Sequence, residues 1–301
     1  MTRPLLLAMP GNDAMAAKLA GQLDTDVGTL ECHIFPDGET LPRFAEDLVG
    51  RRVILVCTLA RPNDKILPLL FAAAAARELG ATQVGLVAPY LSYMRQDRRF
   101  HPGEAITSRY FAALLSRAFD WLVTIDPHLH RYKSLSEIYA VPAVAERAEP
   151  LLGDWIARNV KDPFLIGPDE ESRQWVELVA RICGAEYAVM TKQRLGDRAV
   201  RIVPEQMNRL AGKTPVLLDD IISSGKTMLE TLRLLKLQGA KAAVAVAIHG
   251  VFADDADELI RACGATLVTS NTVPHPTNAI DVSRLLARAI TALDQKMAFE
   301  H

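Results

Sequence analysis

Val216-Leu217-Leu218-Asp219-Asp220-Ile221-Ile222-Ser223-Ser224-Gly225-Lys226-Thr227 runs from an unbroken apolar segment into two adjacent carboxylates, a hydroxyl- and glycine-bearing loop, and a stretch of helical period. An apolar run without alternation, ended by polar residues, is the pattern of a strand buried on both faces of a parallel sheet. Gly225 lets the chain turn tightly into the helix that follows. The first backbone N–H groups of that helix have no helical partner, and its dipole favours an anion. Ser223, Ser224 and Thr227 add hydroxyl donors. Carboxylates do not bind phosphate, whereas they suit sugar hydroxyls, so the stretch reads as a loop for a phosphorylated pentose. An ordinary Asp/Ser-rich turn is the competing reading. A Walker A loop is not, because Ser224-Gly225-Lys226-Thr227 lacks the upstream glycine at the required spacing.

The same alternation extends outward in both directions. Strands are predicted at Pro4–Met9, Arg52–Cys57, Val84–Ala88, Trp121–Ile125, Phe164–Ile166, Tyr187–Thr191, Val216–Leu218, Ala242–Ile248 and Thr266–Thr269. Helices are predicted at Asp13–Leu23, Asp64–Leu79, Thr107–Arg117, Ser172–Cys183, Lys226–Gln238, Asp255–Cys263 and Val282–Met297. Strand then helix, repeated along the chain, makes an α/β protein. Asn63 and Ser283 stand where helix N-caps are expected, and Gly80, Gly184, Gly239 and Gly264 just past helix ends. Gly80-Ala81, Gly239-Ala240 and Gly264-Ala265 each lead into a strand, which suggests two α/β halves of similar design. Pro142 and Pro150 bracket a charged segment, so the expected division is residues 1–145 and 146–301.

Composition narrows the function classes. The chain has 301 residues, 34 Lys+Arg against 36 Asp+Glu, and a formal net charge of −2, which argues against a protein that coats nucleic acid. Hydrophobic residues make up 50% and charged ones 23%, enough for a sizeable core. Cys32, Cys57, Cys183 and Cys263 form no CxxC pair and are too sparse for a disulfide framework. The first residues, Met1-Thr2-Arg3-Pro4-Leu5-Leu6-Leu7, have too short an apolar run for a secretory leader, and no segment reaches the ~20 apolar residues of a spanning helix. The expectation is a cytoplasmic protein with no membrane partner.

The Asp219–Thr227 stretch resembles the phosphoribosyl pyrophosphate motif of type I phosphoribosyltransferases and phosphoribosyl pyrophosphate synthetases. Lys226 stands where that motif commonly has a small residue. Further segments resemble the ribose-phosphate pyrophosphokinase family, in its order: Phe35-Pro36-Asp37-Gly38-Glu39, Arg61-Pro62-Asn63-Asp64, Pro89-Tyr90-Leu91-Ser92-Tyr93-Met94-Arg95-Gln96-Asp97-Arg98, Asp126-Pro127-His128 and His249-Gly250-Val251-Phe252. The ordered set spans essentially the whole chain. It implies two similar domains of the type I phosphoribosyltransferase-like fold, with mainly parallel sheets flanked by helices.

The resemblance also implies roles. Phe35, Asp37, Gly38 and Glu39 would reach the adenine site of a neighbouring subunit, giving a homo-oligomer (dimer or hexamer) with a shared active site. Arg95, Gln96, Asp97 and His128 would complete the ATP site, and the Arg95, Arg98 and Arg99 cluster suits a polyphosphate. His128 and Asp169 would serve Mg²⁺. Asp219, Asp220, Ser223, Ser224, Gly225, Lys226 and Thr227, with Arg194, would bind ribose 5-phosphate. Lys192 and Arg194, in a Lys-x-Arg spacing like that of the family's mobile catalytic loop, would stabilise the transferring group. Asp169 is followed by Glu170 and Glu171 where the family usually has small residues. The implied reaction makes 5-phosphoribosyl 1-pyrophosphate and AMP from Mg-ATP and ribose 5-phosphate. The alternatives are a nucleobase phosphoribosyltransferase, which needs neither the Phe35–Glu39 segment nor the arginine-rich one, and a non-catalytic regulatory homologue.

Overall fold

A computed structural model describes residues 3–169, 172–192, 200–201, 209–240 and 242–299. The chain divides into two compact units, Met1–Arg147 with Thr272–Pro274 and Val282–His301, and Ala148–Asn271 with His275–Asp281.

The first unit contains β1 (Leu5–Ala8), α1 (Asp13–Leu23), β2 (Asp26–Gly28), β3 (Leu30–Ile34), β4 (Thr40–Phe44), β5 (Arg52–Val56), α2 (Asn63–Glu78), β6 (Gln83–Ala88), α3 (Thr107–Ala118), β7 (Trp121–Ile125) and β8 (Ala143–Glu146). Its main sheet has the order β2-β1-β5-β6-β7-β8, and every neighbouring pair is parallel. The apolar run of β5 is buried from Val53 to Val56 between β1 and β6, as a central parallel strand requires. Trp121 on β7 lies opposite Gly85 on β6, and a Cβ at Gly85 would sit 2.1 Å from the indole. Only glycine leaves room for that ring.

The second unit contains α4 (Glu149–Asn159), β9 (Pro163–Gly167), α5 (Arg173–Cys183), β10 (Glu186–Val189), β11 (Thr191–Lys192), β12 (Val200–Arg201), β13 (Thr214–Ile222), α6 (Lys226–Leu237), β14 (Ala243–Gly250), α7 (Ala256–Ala262), β15 (Ala265–Ser270) and β16 (Asn278–Ile280). Its main sheet, β10-β9-β13-β14-β15-β16, is again wholly parallel. In each sheet the second strand flanks the first on one side and the later strands follow on the other. The two units therefore share one winding, the similar design suggested by the repeated Gly-Ala phrase.

The structure departs from the sequence reading in several places, and three concern helices. The final helix, α8 (Ser283–Phe299), grouped by the sequence with residues 146–301, belongs to the first unit, where it packs on α1, β7 and β8. Arg52 of β5 meets Asp294 of this helix at 3.0 Å, both half-buried. Residues 149–159, left without an element, form α4, because Pro150 falls in the first helical turn, where a missing N–H costs nothing. Asn63 is no N-cap: it lies inside α2, preceded by Pro62, and its Oδ1 accepts a hydrogen bond from Tyr93.

Candidate active site

In an open α/β sheet, ligands bind beyond the carboxyl ends of the strands where the winding reverses. In the second unit that point lies between β9 and β13, and the sequence puts carboxylates at both strand ends. Asp169 follows β9, and Asp219 and Asp220 occupy the end of β13. Asp219 is half-buried. Burial, and then the neighbouring charges of Asp220 and Asp169, push its carboxyl well above the usual carboxylate range. The Asp220 N–H donates to Asp219 Oδ1 at 2.9 Å and the Ile221 N–H to Asp220 Oδ1 at 2.8 Å, which fixes both side chains against their own backbone. Asp169 Oδ1 accepts the Ser172 N–H at 3.1 Å, so this carboxylate also shapes the entry to α5. A small, mostly apolar cleft runs past Pro168, Met190, Leu218, Asp219 and Thr227.

Gly225 precedes α6 at φ +63°, and no side chain caps the helix. Its first N–H groups are left for an anion. A Cβ at Gly225 would lie 3.3 Å from Ala256 Cβ and from Ile260 Cδ1, so close approach by α7 as well as the backbone conformation selects glycine. Ser223, Ser224 and Thr227 are half-buried beside it, and Lys226 is exposed. Asp169, Asp219, Asp220 and the loop thus come together within one unit.

The equivalent point of the first unit, between β1 and β5, is sealed. Asn12 is buried there, accepts the Thr58 N–H on Oδ1 at 2.7 Å and donates to Met9 O at 3.0 Å. The nucleotide-site candidates of this unit lie elsewhere. Phe35, Asp37, Gly38 and Glu39 form the tip of the antiparallel β3–β4 hairpin, closed by the Phe35 N–H to Glu39 O bond at 2.8 Å and by Gly38 at φ +91°. Ile34, Phe35 and Leu41 are 66%, 39% and 54% exposed on it.

Arg95 and Gln96 are exposed on the turn after β6, and Gln96 Oε1 accepts from Thr107. Asp97 is buried, and its carboxylate pairs with Arg131 at 3.3 Å. His128, beyond β7 at φ +57°, stacks on His130 with ring centroids 3.8 Å apart. Arg131 thereby ties the segment after β7 to the arginine-rich turn. It went unnoticed in the sequence, although it directly follows the His128-Leu129-His130 triplet.

Lys192 lies on β11, its backbone in register with Val200 of β12. Arg194, Glu170 and Glu171 lie outside the described residues. Asp219 and Asp220 are adjacent carboxylates, and oxygen donors of this kind are what a hard divalent ion such as Mg²⁺ takes. Such an ion would relieve the repulsion from Asp220 and Asp169 that adds to burial in raising the Asp219 carboxyl.

A sheet of this winding, with acids and an uncapped helix start at its switch point, defines a phosphoribosyltransferase-like α/β protein. Residues 134–283 match the family model described as a phosphoribosyl transferase domain, and residues 5–118 match the N-terminal domain of ribose phosphate pyrophosphokinase. The chain is 36% identical over 293 residues to the ribose-phosphate pyrophosphokinase of Methanopyrus kandleri, covering 96% of this chain and 99% of that one. It is 33% identical to that of Sulfolobus acidocaldarius, over 87% of this chain and 91% of the other. The crystal structure of phosphoribosylpyrophosphate synthetase from Mycobacterium smegmatis superposes with a TM-score of 0.85 at 28% identity, covering 98% of this chain and 100% of that one. The chain belongs to the ribose-phosphate pyrophosphokinase family. Among the described residues, no helix is long and apolar enough to cross a membrane.

Proposed function

We propose that the chain transfers the β,γ-pyrophosphoryl group of ATP to ribose 5-phosphate, giving 5-phosphoribosyl 1-pyrophosphate and AMP. The sugar's C1 oxygen forms a bond to the β-phosphorus. The bond from that phosphorus to the oxygen bridging it to the α-phosphorus breaks, AMP leaves with that oxygen, and the C1 hydroxyl proton is released. The observation that carries this reading is the pairing of Asp219 and Asp220 with an uncapped helix start at the switch point. That combination suits a sugar bearing both hydroxyls and a phosphate.

In such transfers the protein chiefly positions the reactants and stabilises charge. Asp219 and Asp220 accept hydrogen bonds from the ribose, while Ser223, Ser224, Gly225, Lys226 and Thr227 take the 5-phosphate. Arg95 and Gln96 hold the nucleotide with His128, and Asp97 keeps their turn in place through Arg131. Lys192 and Arg194 neutralise charge that develops on the transferring group. Mg²⁺, when bound, offsets the charge of the phosphate oxygens. Asp169 and His128 would serve it, directly or through the waters that Mg²⁺ retains.

The exposed Phe35 ring on a polar hairpin tip suits stacking on a purine of another copy's nucleotide, so the active form is a homo-oligomer that shares its sites. Four free cysteines fit a reducing cytoplasm. The test is product analysis. AMP should appear only when Mg-ATP and ribose 5-phosphate are both supplied. Formation of ADP, or consumption of a nucleobase with phosphoribosyl pyrophosphate, would contradict the assignment.

A further inference from the structure

We infer that His275 is a positioning residue for the ribose 5-phosphate loop, acting through Phe252; this rests on the phosphate role just given to that loop. The chain leaving β14 folds back over the end of β13. The N–H groups of Val251 and Phe252 both donate to Ile222 O at 3.0 Å, and the Ala253 N–H donates to Ser223 O at 3.1 Å. The backbone entering the phosphate loop is therefore held from this turn.

The turn is strained. Phe252 has φ +43°, and Asp254 and Asp255 follow at +54° and +56°, a region that side-chain-bearing residues keep only where their surroundings hold them. The Phe252 ring supplies part of that hold. It lies over Gly250 so closely that a Cβ there would be 2.5 Å from the ring. It also meets the His275 ring, with centroids 4.5 Å apart and planes at 48°.

His275 is itself fixed on several sides. Its N–H donates to Asn278 Oδ1 at 2.9 Å, its Nδ1 accepts the Thr277 N–H at 3.3 Å and lies 2.9 Å from Thr277 Oγ1, and its Nε2 lies 3.5 Å from Asp257 Oδ2 on α7. Thr277 and Asn278 are anchored to the end of β15: Thr277 Oγ1 is 2.8 Å from Thr269 Oγ1, and Asn278 Nδ2 donates to Ser270 O at 2.7 Å. The imidazole thus joins the edge of the sheet, α7 and the Phe252 ring, and α7 is the helix that abuts Gly225. Any apolar residue would fill this space, but only a ring with polar nitrogens is oriented by the network around it.

Calorimetric titration of ribose 5-phosphate and of Mg-ATP into the full-length protein tests this, together with hydrogen exchange at residues 222–225. His275→Ala should weaken ribose 5-phosphate binding about tenfold, equivalent to about 1.4 kcal/mol. Mg-ATP affinity should stay unchanged, and exchange in the loop should accelerate. His275→Phe, which fills the space but loses the nitrogens that orient the ring, should recover only part of the affinity. Unchanged ribose 5-phosphate binding and exchange in His275→Ala, or an equal loss for both ligands with a lowered Tm, would overturn the inference. If His275→Ala does not fold, Phe252→Leu carries the same expectation and the same refutation. A wild-type protein that fails to bind ribose 5-phosphate would instead sink the proposed function, and the exchange comparison would still decide the role of His275.

Discussion

Asp220 and Thr227 sit on opposite sides of the same short loop, one facing sugar hydroxyls and the other the phosphate in the proposed reading. Asp220→Ala or Thr227→Val should weaken ribose 5-phosphate and leave Mg-ATP affinity nearly unchanged in separate titrations; equal losses would refute the division of labour between segments. These residues were legible in the sequence because they are neighbours along one strand–loop–helix. Arg131 and His275 were not, since each acquires its role only by meeting a partner distant in sequence, Asp97 or Phe252. Cys57 is fully buried in the core, and the fold gives it a measurable consequence. Burial pushes its thiol from an ordinary 9.0 up to about 12. A group raised in the folded state gives stability that is present below the unfolded value and lost as pH climbs toward the folded one. Urea midpoints followed upward from pH 9.0 should therefore fall less steeply for Cys57→Ala than for the wild type. Identical slopes would show that the thiol is not held neutral.

Elements with continuous apolar runs were read correctly, because burial on both faces leaves little choice of structure. The β3–β4 hairpin was missed for the opposite reason. Its strands are short and mostly solvent-facing, β4 carries Pro42, and the alternation of Leu30-Glu31-Cys32-His33-Ile34 buries only Leu30 and Cys32 in part, so no continuous apolar run marks them. The placement of α8 was equally hidden, as an amphipathic helix does not say which unit covers its apolar face. Packing between β6 and β7 is the sharpest element-level constraint. Gly85→Ala would drive a methyl into the Trp121 indole, and overpacking of this kind costs about 1–3 kcal/mol. Thermal or urea unfolding should register that loss. A variant as stable as the wild type would mean that the β6–β7 contact relaxes more readily than this close fit implies.

At the scale of the whole molecule, two sheets of identical winding have diverged. One switch point is sealed by Asn12 and Thr58, and the other is open and acidic. The shared-site proposal makes a prediction at this scale. An Asp37→Ala, Glu39→Ala protein and a Lys192→Ala protein, dissociated and reassembled together, should be more active than the sum of the two parents. A demonstrably mixed oligomer as inactive as its parents would end that claim. The most direct test of the account follows one oxygen atom. Ribose 5-phosphate labelled with ¹⁸O in its C1 hydroxyl, turned over with Mg-ATP, should give AMP free of label and 5-phosphoribosyl 1-pyrophosphate with the label in the bridge between C1 and the β-phosphorus. Label lost from that bridge, or ADP as the nucleotide product, would contradict attack by the sugar's own oxygen on the β-phosphorus.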